Sequence, residues 1–202
     1  MLNRTRRTLG MGVLACAAWV AGCASSRLID SEVRSFGGGA SAVPAASYQF
    51  ERLPSQQADA QAQAQIEQGA MPVLQRMGLT PASQDPRYTV QLSVASEQVQ
   101  RADPLVLRRW SWIGPRPGVA VPLAVVSLEP ALYRLQIQVL VRDAQSRAVV
   151  YEASAQHTGP WNDQATLLPA VLLAAMRDFP QGGNGPASVR VEIGTGGLEL
   201  RP

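Results

Sequence analysis

The sequence predicts an α+β domain: a mostly antiparallel sheet with two helices packed on one face, preceded by a cleaved export signal. Three observations carry this expectation. Several short segments alternate apolar and polar residues with period two, the mark of a half-buried strand. Two longer segments repeat their apolar residues at helical spacing. The composition, 46% apolar and 16% charged over 202 residues, suits one domain with its own core and excludes both a disordered chain and a polytopic membrane protein.

The chain opens with Arg4, Arg6 and Arg7, followed by the charge-free run Leu9 to Ala21 and then Gly22-Cys23-Ala24-Ser25-Ser26. That run is shorter than the roughly 20 apolar residues of a spanning helix. A positive start, a short apolar stretch and a small-residue exit describe an export signal. Val20-Ala21-Gly22-Cys23 resembles the bacterial lipobox, which implies cleavage between Gly22 and Cys23 and diacylglycerol on the Cys23 sulfur. By the same resemblance, Ala24 directs the protein to the outer membrane, facing the periplasm. At least two acyl chains would then hold it stably, since each buried methylene contributes about 0.8 kcal/mol.

Cleavage removes three of the 18 basic residues, all of them Arg, and leaves fifteen against 15 Asp plus Glu. Nucleic acid requires a basic excess, so no nucleic-acid partner is expected. Cys16 leaves with the signal and Cys23 is alkylated, which excludes an intrachain disulfide.

The elements follow in order. Arg27 to Phe36 reads as a strand, then the loose run Gly37-Gly38-Gly39. Tyr48 to Leu53 alternates and stops at Pro54. Gln57 to Met77 is Ala- and Gln-rich, with Ala62, Ile66, Ala70, Val73, Leu74 and Met77 on one helical face, although Pro72 should kink or split it. Tyr88 to Val94, Leu135 to Val141 and Val149 to Ala155 are strands, the last two joined by the polar turn Asp143 to Arg147. Ala165 to Phe179 is a second helix, with Asn162, Asp163 or Thr166 as N-cap; Pro169 fits if it lies in the first turn. The domain layout is residues 1–22 as signal peptide, 23–27 as lipidated N-terminus and tether, 28–180 as one domain, and 181–202 as a Gly-rich tail with one candidate strand, Val189 to Ile193.

The order Tyr48-Gln49-Phe50, an Ala/Gln helix ending Arg76-Met77-Gly78-Leu79, Asp85-Pro86-Arg87-Tyr88-Thr89-Val90, Val149-Val150-Tyr151-Glu152-Ala153-Ser154-Ala155 and Asp178-Phe179-Pro180 is similar to the bacterial lipoproteins grouped as domain of unknown function 4136. Tyr151 stands where that pattern often has Trp, and Glu152-Ala153 replaces Arg-Gly. The resemblance implies fold and location and supplies no activity.

Reactive chemistry is scarce. The absence of Lys excludes the phosphate-binding lysine loop, and one His with two Cys is too few for a typical zinc site, so no metal or cofactor is expected. His157, the lone imidazole, continues an alternating strand and reads as a packed strand-end residue. No Ser sits in a nucleophile elbow. The carboxylates are scattered, with Asp143 and Asp163 at turn or cap positions. The stretches Gly37–Gly39, Gly182–Gly185 and Gly194–Gly197 read as mobile connectors, because none joins a strand to a helix start.

The insert 101–130 is longer than ordinary loops. It holds Arg108, Arg109, Trp110, Trp112 and Arg116, residue types enriched at binding hot spots. Its functional reading is contact with an envelope protein, a glycan or the membrane; its structural reading is Trp packing over an end of the sheet. The expected function is a non-enzymatic, lipid-anchored binding or accessory module of the cell envelope. The alternatives are a periplasmic lipid or small-ligand carrier, suggested by the apolar run Val119 to Leu128, and an envelope hydrolase.

Overall fold

The computed structural model describes residues 26–39, 45–99 and 131–202. The signal, Cys23 and the insert 101–130, with Arg108, Arg109, Trp110, Trp112 and Arg116, lie outside the described residues. The element order is β1 (Arg27–Gly37), β2 (Ala46–Phe50), α1 (Pro54–Ala58), α2 (Ala60–Arg76), β3 (Leu79–Pro81), β4 (Tyr88–Val99), β5 (Leu132–Asp143), β6 (Val149–Gly159), α3 (Gln164–Ala175), β7 (Ala187–Gly194) and β8 (Gly197–Arg201). No helix among them is long and apolar enough to cross a membrane.

The eight strands form one sheet in the order β3-β2-β4-β5-β6-β1-β7-β8. It is antiparallel except at β2, which runs parallel to both β3 and β4. Helices α1 and α2 supply the long return that a parallel pairing needs. The two N-terminal strands share the sheet without touching: β1 is wedged between β6 and β7. The architecture is the expected α+β class, with three helices rather than two, since Pro54–Ala58 forms a separate short turn of helix.

Alternation decides the faces. Ile29 and Val33 of β1, Leu135, Ile137, Val139 and Val141 of β5, and Tyr151, Ala153 and Ala155 of β6 are buried together. Against them lies α3, where every residue from Leu167 to Met176 except Pro169 is buried. A helix apolar on all sides must be enclosed on all sides. Here β1, β5, β6 and β7 lie against it and α2 packs beside it. Both edges of the sheet meet α2: the Arg76 guanidinium at its end donates to the Leu198 carbonyl of edge strand β8 at 2.6 Å, and β3, the opposite edge, follows α2 directly.

Several expectations are corrected. Pro72 lies inside a continuous α2; its side is exposed, so water can satisfy the carbonyl it leaves unbonded. The first half of α2 buries Gln63 and Glu67 and exposes Ala62, while Ile66 is half-buried against the core. Glu67 takes two bonds from Arg52, at 2.7 and 2.6 Å, and the Gln63 amide donates to the Leu92 carbonyl and to Glu67. Asp163 is the N-cap position of α3, which puts Pro169 beyond the first turn.

The Gly-rich segment 181–202 is part of the sheet: β7 pairs with β1 along seven residues and buries Val189 and Val191. Nor are two of the glycine runs loose connectors. Phe36 bridges Gly182, the Gly38 amide donates to the Val150 carbonyl, and the Gly183 amide donates to Ser35. A Cβ on Gly37 would stand 2.1 Å from the Gln181 carbonyl oxygen, and one on Gly38 1.8 Å from that of Val149. Glycine is required there because two backbones cross in contact.

Candidate functional site

The face of the sheet opposite the helices is lined by the polar halves of the alternating strands. On β1 these are Asp30, Glu32 and Arg34; on β6, Glu152, Ser154 and Gln156; on β5, Gln136 and Gln138. Register aligns them into rows that cross the strands. Ser188 of β7 faces Glu32, Glu32 faces Gln156, and Gln156 faces Gln136. The neighbouring row runs Arg34, Ser154, Gln138 and Ser93.

Where these rows meet β7 the surface is concave. An open trough of about 600 Å³ is lined by Glu32, Arg34, Gln136, Ser154, Gln156 and Ser188, with Pro186 at its margin. None of those six side chains has an internal hydrogen bond or ion pair among the described residues. Two salt bridges flank it on the same face: Arg190 to Asp30 at 3.0 Å and Arg134 to Glu97 at 2.7 Å. Unlike these neighbours, Glu32 and Arg34 are two residues apart on one strand and leave their charges facing solvent.

His157 is not in this trough. It points to the helix side and is 4% exposed. Its Nδ1 lies 2.7 Å from the Asp30 carbonyl oxygen, so Nδ1 carries the proton and donates it. The ring stacks on Trp161 at 6.4 Å and 12°, and the Arg27 guanidinium lies 5.5 Å from the Trp161 centroid on its way to Asp163, 2.8 Å distant. The expected strand-end packing is present, with Trp161 as the cover. Its signal was a Trp four residues beyond the histidine, just ahead of the helix.

Asp143, named from the sequence, is occupied, and so is Glu51. Asp143 accepts from the Ser146 amide, which above all holds its carboxyl below the usual range, and from the Ser146 hydroxyl and Gln145 amide; Arg87 lies at 3.0 Å. Glu51 is held below the usual range chiefly by Arg147, then by Thr89 and Arg142, in spite of a burial effect in the other direction. These clusters tie turns to strands. The trough residues were legible only as the polar members of each alternation, because sequence does not reveal which strands are neighbours.

The fold and this face define an α+β module: a mostly antiparallel sheet packed against a buried helix, with one polar face that no described helix covers. The chain belongs to the family described as domain of unknown function (DUF4136), whose pattern matches residues 40–181. No curated protein matches it. Among solved structures it is similar to a PDZ domain protein from Parabacteroides distasonis, at 13% identity and a TM-score of 0.50, over 88% of this chain and 41% of that one. It therefore spans about two-fifths of that protein, and the likeness concerns fold alone. Two crystal forms of a PelC dodecamer from Paraburkholderia phytofirmans also align, with TM-scores of 0.45 and 0.43 and identities of 16% and 14%. Each alignment covers 75% of this chain and nearly all of the PelC chain.

Proposed function

We propose that this protein is a non-enzymatic binding or accessory module of the bacterial cell envelope, held by lipid on Cys23 at the periplasmic side of the outer membrane. The lipobox-like Val20-Ala21-Gly22-Cys23 supports the anchor. The observation that carries the binding role is the trough: six polar side chains gathered on one face with no internal partners among the described residues. Several surface charges among the described residues find partners, as Asp30, Glu51, Glu97 and Glu192 do. A sheet face that no described helix covers, lined with unspent hydrogen-bonding capacity, is a contact surface. The opposite side of the sheet is filled by the packed side chains of α2 and α3, which favours a surface binder over a carrier with its cargo between sheet and helices.

Two measurements test this reading. Cys23→Ser should abolish palmitate labelling and leave the signal uncleaved; unchanged labelling and fractionation would defeat the anchor. A photo-reactive amino acid at position 156 should capture an envelope component in intact cells. If nothing is captured from that position while the protein is folded and correctly located, the face is not a contact surface.

A further inference from the structure

The geometry points to a neutral glycan as what the trough binds, an inference that rests on the open face being a contact surface. Each glutamine amide offers one acceptor oxygen and two donor hydrogens, and each serine hydroxyl both donates and accepts. Gln136, Gln156, Ser154 and Ser188 thus present both kinds of group side by side. A sugar hydroxyl also donates and accepts, so this mixture suits it from any rotamer. Glu32 and Arg34 supply one strong acceptor and one strong forked donor for adjacent hydroxyls.

Other partners fit less well. The trough's two charges cancel and both flanking salt bridges are internally neutral, whereas nucleic acid or an acidic polymer requires a basic excess. A protein partner would seek an aromatic or aliphatic anchor at the centre of its footprint, and the lining side chains here are polar or small. A lipid surface would require an apolar face.

Spacing supports an extended chain across the strands. The row Ser188, Glu32, Gln156 and Gln136 sits on four adjacent strands, which at about 4.8 Å per strand spans ~14 Å. That is the run of a short oligosaccharide with one polar contact group for each ring.

The test uses full-length protein in detergent, probed with neutral dextran, chitohexaose and a printed array of neutral oligosaccharides, with alginate as the anionic comparison. Retention on at least one neutral glycan is expected, undiminished by about 0.5 M salt, where exposed charge pairs are screened. The double variant Gln136→Ala, Gln156→Ala should weaken that binding by about tenfold with an unaltered melting temperature, and Arg34→Ala should weaken it independently. Failure to bind any neutral glycan overturns the proposal, as does binding confined to alginate or binding indifferent to these substitutions. Should the cross-linker at position 156 capture a protein and no glycan, the contact-surface reading survives while the glycan assignment falls.

Discussion

Gly38 shows how much of this fold depends on the absence of one carbon. A Cβ there would lie 1.8 Å from the Val149 carbonyl oxygen, a backbone atom held in β6, whereas one on Gly196 would meet nothing within 4 Å. Overpacking against rigid neighbours costs about 1–3 kcal/mol or more, and the contact at Gly38 is short enough to place it at the upper end. Gly38→Ala should therefore lower the melting temperature by about 6–12 °C in a chain of this size, and Gly196→Ala should leave it within about a degree or two. Parallel thermal scans check the pair, and equal shifts would show that the backbones can part. Glu67 is a second such position. Its side chain is 7% exposed and holds Arg52 by two bonds. Glu67→Ala strands Arg52 and leaves the Gln63 amide only the Leu92 carbonyl, at an expected loss of about 1–3 kcal/mol. A double-mutant cycle with Arg52→Ala in urea should return a coupling of the same sign, smaller than the single loss because Arg52 is a third exposed.

Tyr151 joins two elements. Its hydroxyl, in β6, donates to the Ala175 carbonyl at the end of α3 at 2.6 Å, and its ring meets Phe179 edge-on at 5.2 Å. Burial foremost pushes the phenol up from its ordinary 10.0 to about 12. The sign follows from proton counts: between about 10 and 12 the folded state keeps a proton that the unfolded chain has released, so stability falls as pH rises through that window. Below it both states hold the proton and this group contributes no slope. Tyr151→Phe should cost about 1 kcal/mol at neutral pH by losing the bond, yet unfold with a shallower alkaline slope. Urea melts at pH values of about 9 and 11 compare the two proteins; identical slopes would mean that the phenol is not shielded. The strands β4, β5 and β6 were readable from sequence because one face is buried and the other wet, which imposes period two. Helix α3 was readable as apolar, but its burial on every side hid its stripe. The first half of α2 misled because Gln63 and Glu67 face inward, and their inward turn is set by Arg52 and the Leu92 carbonyl, which lie elsewhere in the chain.

For the molecule as a whole, the family pattern at 40–181 omits β1, β7 and β8, three of the eight strands. Alternation marks β7 as the candidate strand Val189 to Ile193, but composition concealed β8 in the same Gly-rich stretch: β8 is exposed along nearly its whole length and shows no alternation. The trough was concealed more deeply, since Ser188 and Gln136 become neighbours of the same site only through the order β5-β6-β1-β7. That order carries an energetic consequence. Val189 and Val191 are buried against α3 and the side of β1 that holds Ile29. Removing residues 187–202 would uncover that helix and leave β1 as a bare edge beside it, with unpaired backbone groups and exposed apolar side chains. The truncated chain is therefore expected to lose cooperative unfolding and to aggregate, although every residue of the family match is retained. A milder variant separates packing from pairing. Val191→Asp leaves the backbone intact but places an unpaired carboxylate in the core, at a cost of several kcal/mol. Arg190→Ala, on the outer face, removes only an exposed ion pair worth less than about 1 kcal/mol. If circular dichroism and urea unfolding find the truncated chain as stable as the full one, the chain without β7 and β8 is a complete folding unit and the C-terminal strands are an accessory to the trough.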